Sequence, residues 1–296
     1  MKRFKTTAED IKGVQISLTH LCNSNCRFCV RHSRNVKEGT QLSKKQIDNL
    51  LSTKLMENLK RVLIVGNTGE PVLGKNFKYL VKKINTHVHI STNGSGIISW
   101  WKDLAHLNDN MTVAFGIDGL TNDVHQLYRS TDVNMVFRNM KAFVAEGGKA
   151  IWKFILFKQN QHQVEDARNM AEKLGVKIDI RTSWQYDEVL EKPTIDIEQT
   201  RFARDICKFE AREIFVRSDG FMRICCHQVP EIEKICEYET MNLSDFTADE
   251  IVKGKDFRRQ LIYAGTTETC QTSCNYQKPS WLMEQLKNDL WNNKRG

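Results

Sequence analysis

The sequence predicts an α/β fold with a parallel sheet, followed by a smaller, cysteine-rich region. Segments rich in Val, Ile and Phe alternate with amphipathic helical patterns over about the first two thirds of the 296 residues. Because two parallel strands need a crossover between them, this alternation favours parallel pairing. Beyond residue 190 the alternation fades, and six of the nine cysteines follow. We therefore expect one domain over residues 1–190 and a second over residues 191–296.

Six segments have the composition of buried parallel strands. They are 13–20, 61–67, 87–92, 111–118, 150–158 and 176–183. An open doubly wound sheet and an incomplete barrel both accommodate them, and in either one the ligand sites lie at the carboxyl ends of the strands. The first four ends are followed by a cysteine loop, TGEP, NGSG and DG. We expect these loops to meet on one side of the sheet.

Two helical segments have recognisable ends. Residues 42–59 open with Ser43 and Gln46 in the spacing of a capping box. Residues 163–175 end at Gly175, a residue type that commonly caps helices. Each segment has an apolar stripe on one face, formed by Ile47, Leu50, Leu51 and Leu55, and by Val164, Ala167, Met170, Ala171 and Leu174. Both segments lie between strand-like segments, as the helices of a parallel α/β fold do.

The composition disfavours several classes of protein. No apolar run approaches the roughly 20 residues that span a bilayer, and the basic N-terminus lacks the apolar stretch of a signal peptide. We expect a cytoplasmic protein without a membrane partner, in which nine cysteines favour metal binding or catalysis over disulfides. The net charge of +8 comes without a basic stripe interleaved with aromatics, so a nucleic-acid partner is disfavoured. An acidic electron-donor protein or an anionic substrate suits this charge.

Three cysteines, Cys22, Cys26 and Cys29, lie within eight residues after the first strand-like segment. A structural zinc site needs four ligands, and His20 or His32 could supply the fourth. The alternative is an iron–sulfur cluster held by three thiolates, with one iron open to a small molecule. The spacing alone leaves both interpretations open.

The pattern C-x3-C-x-aromatic-C, in which Phe28 is the aromatic residue, resembles the motif of the radical S-adenosylmethionine (SAM) enzymes. The resemblance implies a [4Fe–4S] cluster on Cys22, Cys26 and Cys29, whose open iron is chelated by the amino and carboxylate groups of SAM. It implies that one electron then cleaves SAM to methionine and a 5′-deoxyadenosyl radical. The implied fold is a partial (β/α)6 TIM-type barrel.

Two further segments extend this resemblance to the SAM site. NTGEPVL looks like the family's glycine–glutamate motif, in which Gly69 and Glu70 receive the methionine ammonium by a charge-assisted hydrogen bond. Residues 67–68, an Asn-Thr pair, stand where a further glycine is often found. HISTNGSG resembles the third-strand segment that passes the ribose and adenine, which nominates Thr92 and Asn93.

The segment after the fourth strand departs from the family pattern. FGIDGLTNDVHQLYR resembles a segment of the peptide-modifying branch, which usually has serine where Gly116 stands. The departure removes one expected hydrogen bond to SAM, and Arg129 becomes the candidate that binds its carboxylate. Asp118 and His125 lie in the same segment, where either could equally be a turn former or a capped surface residue.

The C-terminal cysteines resemble the auxiliary-cluster extension called SPASM, in its shortened twitch form, a small cysteine-rich α+β domain. The resemblance implies a second [4Fe–4S] cluster, held by Cys207, Cys225, Cys270 and Cys274. Gly220 has the expected spacing from the first two of these, whereas the closing C-x3-C replaces a commoner C-x2-C. Cys226 and Cys236 are left over and are expected to be ordinary buried thiols, with Cys226 in place of Cys225, or Cys236, as the alternative ligand. Four cysteines in two pairs also suit a zinc site.

The motifs together predict a radical SAM enzyme that abstracts hydrogen from its substrate. Modification of a peptide or protein is the first expectation, and dehydrogenation of a small, carbohydrate-type molecule is the second. A flavodoxin or ferredoxin is the expected electron donor. Because the first strand begins near residue 14, no leader-peptide-binding domain is recognised, and we expect a separate recognition protein or no leader.

A binding or sensing protein that kept the fold and lost the chemistry is the alternative of another class. Gly116 and the Asn-Thr pair at 67–68 depart from the family pattern and would indicate such a loss of activity. Glu70 and the three cysteines that match the pattern argue against it. Loss of SAM cleavage in Cys26→Ala with the fold retained would favour the enzyme.

Overall fold

The computed structural model describes residues 8–33, 37, 39–67, 69–197, 213–226, 237 and 239–263. Thr68, Cys207, Cys236, Cys270 and Cys274 lie outside this range, so the interpretations that rest on them stay predictions. The chain divides into two compact units, which are not the predicted segments before and after residue 190. The first takes in Met1–Ser17, Gln41–Val62 and Arg201–Gly296, and the second takes in Leu18–Thr40 and Leu63–Thr200.

The second unit is built on a parallel sheet with the strand order β3, β4, β5, β6. The strands are β3 (His87–Thr92), β4 (Met111–Gly116), β5 (Lys149–Leu156) and β6 (Lys177–Thr182), and each neighbouring pair is parallel. The intervening helices are α3 (Phe77–Lys83), α4 (Ile98–Ala105), α5 (Asn122–His125), α6 (Val133–Ala145) and α7 (Val164–Lys173). All four predicted strands of this region are confirmed.

One face of the β3–β6 sheet packs against helices. Trp101 of α4 contacts Phe115 of β4 with ring centroids 4.8 Å apart, and Phe137 of α6 meets Trp152 of β5 edge-to-face at 5.0 Å. These buried rings remove roughly 150–250 Å² each from water, which makes the packing a large stabilising contribution. The opposite face carries polar side chains at alternate positions, among them Ser91, Lys153 and Asp179. We call it the interior face, as in a partial barrel.

The first unit combines segments that are distant in sequence. Strand β1 (Gly13–Ile16) pairs in parallel with β7 (Glu213–Val216), which pairs antiparallel with β8 (Met222–Arg223). Its helices are α1 (Lys44–Leu50), α2 (Thr53–Asn58), α8 (Ala248–Lys253) and α9 (Lys255–Tyr263). Strand β2 (Arg61–Ile64) spans the boundary between the units. The strands β1 and β2 were predicted, whereas β7 and β8 were not.

The predicted helix over residues 42–59 is two helices. Its start is confirmed, since Gln46 N donates to Ser43 Oγ at 3.2 Å and Ser43 N donates to Gln46 Oε1 at 2.9 Å. The helix ends after Leu50, and Ser52 Oγ donates instead to Asp249 Oδ1 at 2.7 Å. Ser52 is the residue before the second helix, which begins at Thr53.

The other predicted helix end is confirmed. Helix α7 stops at Lys173, and Gly175 has φ +63°, the left-handed conformation that glycine adopts without strain. Among the described residues, no helix has both the length and the apolar character to cross a membrane.

Candidate functional site

The loop after β1 carries Cys22, Cys26 and Cys29, each half buried and outside any disulfide. Cys29 N donates to Cys26 O at 3.2 Å, which closes a turn between the last two cysteines. Phe28 within this turn has φ +60°, and it is the only non-glycine residue with positive φ in the described ranges. A bulky residue in this conformation is strained, and such strain is frequent at ligand sites.

The chain after α5 fixes the position of this loop. Arg27 N donates to Tyr128 O at 2.9 Å, and Asn25 N donates to Ser130 Oγ at 2.6 Å. The rings of Phe28 and Tyr128 also lie near each other, with centroids 6.4 Å apart. The loop is therefore held through its backbone, which leaves the cysteine side chains available.

The environment of the cysteine thiols favours binding of a cation. Burial raises the pKa of Cys22 and of Cys26, and in Cys26 the Arg129 guanidinium opposes this rise. A charge on a neighbouring thiol raises the pKa further, from Cys26 onto Cys22 and from Cys29 onto Cys26. Adjacent thiolates therefore need a cation to be stable, as in metal sites.

Three sulfurs are the donor set of a cluster with one open iron. Within the ranges that the structure describes, no three His, Cys, Asp or Glu side chains are gathered in a metal-binding arrangement. This includes His20, which is buried, and His32, which is exposed. The same holds for Cys22, Cys26 and Cys29, so the preference for an iron–sulfur cluster rests on the chemistry of three thiol donors and not on their arrangement.

Glu70 is a buried carboxylate, with 3% of its surface exposed. It accepts hydrogen bonds from Thr92 Oγ1 at 2.6 Å, from Asn93 N at 2.7 Å and from Val72 N at 3.4 Å. Burial raises the pKa of Glu70 to about 7, although these bonds and the charge of Arg129 oppose it. No described cationic side chain lies within ion-pair distance. Because a buried carboxylate without a cation is costly, the arrangement suits a cationic ligand.

Gly69 permits a close backbone approach that brings Glu70 to the cysteine loop. A Cβ at Gly69 would lie 2.4 Å from Thr19 O and 2.5 Å from Leu21 O. Glu70 N donates to Leu21 O at 2.7 Å, directly before Cys22. The glycine of the predicted motif is therefore required by packing between two loops.

Thr92 and Asn93, the predicted SAM contacts at the end of β3, connect Glu70 to the cysteine loop. Asn93 Nδ2 donates to Asn23 Oδ1 at 2.9 Å and to Ser24 Oγ at 3.0 Å. The Thr92 hydroxyl donates to Glu70. The two residues lie at the end of β3, where their side chains bond protein groups.

Arg129 forms an ion pair through Nε with Asp118, which is 1% exposed. Burial alone would lower the pKa of Arg129, but the Asp118 carboxylate outweighs it and raises that pKa. The guanidinium lies over Gly116, where a Cβ would stand 2.6 Å from Cζ. From the sequence, Asp118 could equally be a turn former or a capped surface residue. Its place in the DG pair after β4 was the available signal for its role as the partner of Arg129.

His125 is buried and holds the turn after β4. Its Nδ1 accepts a hydrogen bond from Asp118 N at 3.1 Å, and its Nε2 lies 2.9 Å from Thr131 Oγ1. Burial lowers the pKa of His125 to about 4, so the ring is neutral near pH 7. It is therefore not a surface residue, and its contacts position Asp118.

The described part of the second cysteine group lies in the first unit. Cys225 and Cys226 follow β8 and are half buried. Gly220 forms the turn before β8 with φ +89°, and a Cβ there would stand 2.2 Å from Gln46 Nε2. The glycine of the predicted spacing is thus a turn residue that no other residue type could replace without displacing Gln46.

The comparisons with known proteins agree with these motifs. A protein-family model described as "Radical SAM superfamily" matches residues 16–174, more than half of the chain. Among curated proteins, the chain is similar to a "Probable GTP 3',8-cyclase" of Methanococcus aeolicus, with 24% identity over 199 residues, 64% of this chain and 65% of that protein. The chain thus spans slightly less than two thirds of that relative.

Two solved structures share the fold. "Native anSMEcpe with bound AdoMet" has a TM-score of 0.60 and 14% identity, covering 95% of this chain and 96% of that one. The structure of Streptococcus suis SuiB bound to precursor peptide SuiA has a TM-score of 0.63 and 14% identity, covering 83% and 65%. At this identity the likeness concerns the fold alone, which is consistent with a partial TIM-type barrel.

Proposed function

The chain belongs to the radical SAM superfamily, and on this premise we propose that it modifies a peptide or protein by hydrogen abstraction. Membership implies a [4Fe–4S] cluster, SAM, a substrate and a reductant. When bound, the cluster and SAM supply a 5′-deoxyadenosyl radical. The observation that carries the SAM-dependent part of the proposal is Glu70, a carboxylate 3% exposed that accepts hydrogen bonds from neutral groups only, beside a loop with three thiols.

We assign the SAM-binding roles as follows. Cys22, Cys26 and Cys29 would hold the cluster, because thiolates are its usual ligands. Glu70 would bind the ammonium group of SAM. Arg129 would bind the carboxylate, since its Nε is engaged by Asp118 and its terminal nitrogens can still form a bidentate pair. The two charged groups of SAM would thus meet complementary charges.

The remaining predicted residues would act on SAM through their neighbours. Thr92 and Asn93 fix the Glu70 carboxylate and the cysteine loop, and Phe28 shapes the turn between two thiols. Gly69 keeps the two loops in contact. In this proposal the protein orients SAM and excludes water from the radical, which is the contribution expected of a cofactor enzyme.

The peptide substrate is supported by the solved structure of SuiB, whose title records a bound precursor peptide. A small-molecule substrate is the second candidate, because the curated relative is named a GTP 3',8-cyclase. An acidic reductase partner, of the flavodoxin or ferredoxin type, suits the net charge of +8.

We also propose a twitch-type auxiliary [4Fe–4S] cluster, with Cys225 as its ligand next to β8 and Cys207, Cys270 and Cys274 as the others. The support is the cysteine spacing, with Gly220 at a turn that requires glycine. Such a cluster could accept an electron after hydrogen abstraction or anchor the substrate.

The test is anaerobic reconstitution with iron and sulfide, followed by reduction with dithionite in the presence of SAM. We expect about eight irons per chain, from two four-iron clusters, and formation of 5′-deoxyadenosine. Cys26→Ala should lose about four irons and all deoxyadenosine while unfolding at a similar temperature. Zinc in place of iron with SAM intact would refute the enzyme and favour the binding protein.

A further inference from the structure

The interior face of the β3–β6 sheet carries a cationic group that none of the roles above uses. Lys153 of β5 is in register with Gly116 of β4 on one side and with Asp179 of β6 on the other. Arg181 lies two residues beyond Asp179, and therefore on the same face. Gly116 is the last residue of β4, so Lys153 is level with the carboxyl end of that strand, although three residues of β5 follow it. In parallel α/β folds ligands bind beyond the carboxyl ends of the strands.

The side chain of Lys153 crosses a whole strand. Its Nζ donates to Ser91 Oγ of β3 at 2.9 Å, although β4 lies between β3 and β5. The two β4 residues beneath this path are small, namely Ala114, which pairs with Ser91, and Gly116, which pairs with Lys153. The space directly above Gly116 is taken by the Arg129 guanidinium, so Lys153 and Arg129 lie near each other on this face.

The carboxylates near Lys153 are already engaged by other cations. Arg181 contacts both oxygens of Asp179, at 3.0 Å and 2.8 Å, and Arg129 is paired with Asp118. In the described part of the chain, no carboxylate lies within ion-pair distance of Lys153. Its ammonium is therefore a partly buried positive charge whose one hydrogen-bond partner there is a neutral hydroxyl.

The titration of the neighbouring groups agrees with a local excess of positive charge. Burial and the Arg181 cation lower the pKa of Lys153 to about 8, with Arg129 adding to the effect and Asp179 opposing it. Burial and Lys153 likewise lower the pKa of His89, on the same face of β3, to about 4. A bound anion would raise the pKa of Lys153 again, because it stabilises the charged ammonium form.

We infer that Lys153, together with Ser91 and Arg181, forms a subsite for an anionic group of the substrate, either a carboxylate or a phosphate. The inference rests on the proposed function, since it names the substrate class of the same site. An ammonium and a guanidinium on one face are suited to such a group, and the hydroxyl of Ser91 adds a donor. Glu70 and Lys153 would then recognise ligands of opposite charge.

The test is calorimetric binding of two probes, inorganic pyrophosphate and glutarate, to the full-length reconstituted protein at pH 7. We compare wild type with Lys153→Met, which keeps most of the length of the side chain and removes its charge. Lys149→Met is the matched control, because Lys149 lies on the same strand and face but is exposed. Lys153→Met should weaken at least one probe by about tenfold or more, and Lys149→Met by less than about twofold.

The unfolding temperature of each variant shows whether a loss of probe binding comes from misfolding. Lys153→Met should unfold no lower than wild type, because it removes a partly buried charge without a carboxylate partner. A second measurement needs no variant, since a bound probe should move the titration midpoint of Lys153 upward, as followed by the ¹³Cε shift. A bound probe that leaves this midpoint unchanged would overturn the inference.

The two probes distinguish the substrate classes. Selective loss of pyrophosphate binding would indicate a phosphate-bearing small molecule, and selective loss of glutarate binding would indicate a carboxylate, such as an acidic side chain of a peptide. Equal binding in wild type and Lys153→Met, or no binding of either probe, would overturn the inference. Binding of the probes does not depend on SAM cleavage. A protein that fails to cleave SAM would therefore refute the proposed function, and the binding data would still test the anionic subsite.

Discussion

The Arg129 guanidinium occupies the space that a side chain on Gly116 would need, since a Cβ there would stand 2.6 Å from Cζ. A serine at this position would require the end of the Arg129 side chain to move. The departure at Gly116 therefore comes with a cation at the same point, which Asp118 anchors. Gly116 is explained by this packing and need not be a symptom of lost chemistry.

Replacing Gly116 with serine should destabilise the protein by about 1–3 kcal/mol, because the new side chain overpacks against Arg129. In an Arg129→Ala background the same substitution should cost less than about 0.5 kcal/mol. Denaturant unfolding of the four proteins in this cycle measures the coupling. Equal costs in both backgrounds would show that the contact does not explain the glycine.

Glu70 predicts a pH-dependent difference between wild type and Glu70→Gln. The folded pKa of about 7 lies above the ordinary value of about 4.5, so the carboxyl stabilises the ligand-free fold below pH 4.5 and loses that contribution as the pH rises to 7. From pH 4.5 to 8, wild type should lose up to about 3 kcal/mol of unfolding free energy relative to Glu70→Gln. Denaturant unfolding across this range measures it.

The same variant should bind SAM more weakly. Loss of the carboxylate removes the charge-assisted bond that we assign to the ammonium group, which should weaken binding by about tenfold or more at pH 8. Equilibrium dialysis with the reconstituted protein measures this effect. Unchanged affinity together with the expected pH dependence would leave Glu70 as a structural residue only.

Asn93→Ala should loosen the cysteine loop, because the Asn93 amide donates to both Asn23 and Ser24. We expect a loss of about 1–3 kcal/mol and faster amide hydrogen exchange over residues 23–27. Asn108→Ala is the matched control, since the Asn108 amide also donates two hydrogen bonds, to Val81 O and Ile84 O. Similar exchange of the loop in both variants would contradict the positioning role of Asn93.

Cys225 and Cys226 offer a paired test of the auxiliary cluster. Cys225→Ala should lower the iron content from about eight to about four per chain, whereas Cys226→Ala should leave it near eight. Iron counting after anaerobic reconstitution measures both. The reverse result would assign the ligand to Cys226, and eight irons in both variants would remove this segment from the cluster.

Local patterns were sufficient to predict much of the fold. The six strand-like segments, the capping box of Ser43 and Gln46, and the stop at Gly175 depend on neighbours in sequence, and all are confirmed. The break between α1 and α2 was missed, and Ser52 at this break bonds Asp249, almost two hundred positions away. The pairing of β1 with β7 is equally non-local, so no period in the sequence indicates it.

The candidate site divides in the same way. The sequence by itself determined the three-thiol motif, the Gly69–Glu70 motif and the loops at the carboxyl ends of strands, because spacing and residue chemistry are properties of short segments. Only the tertiary structure decided that Arg129 lies over Gly116, and that Lys153 crosses β4 to reach Ser91. Those relationships depend on which strands are neighbours and on the room above small residues, which arise when distant segments pack together.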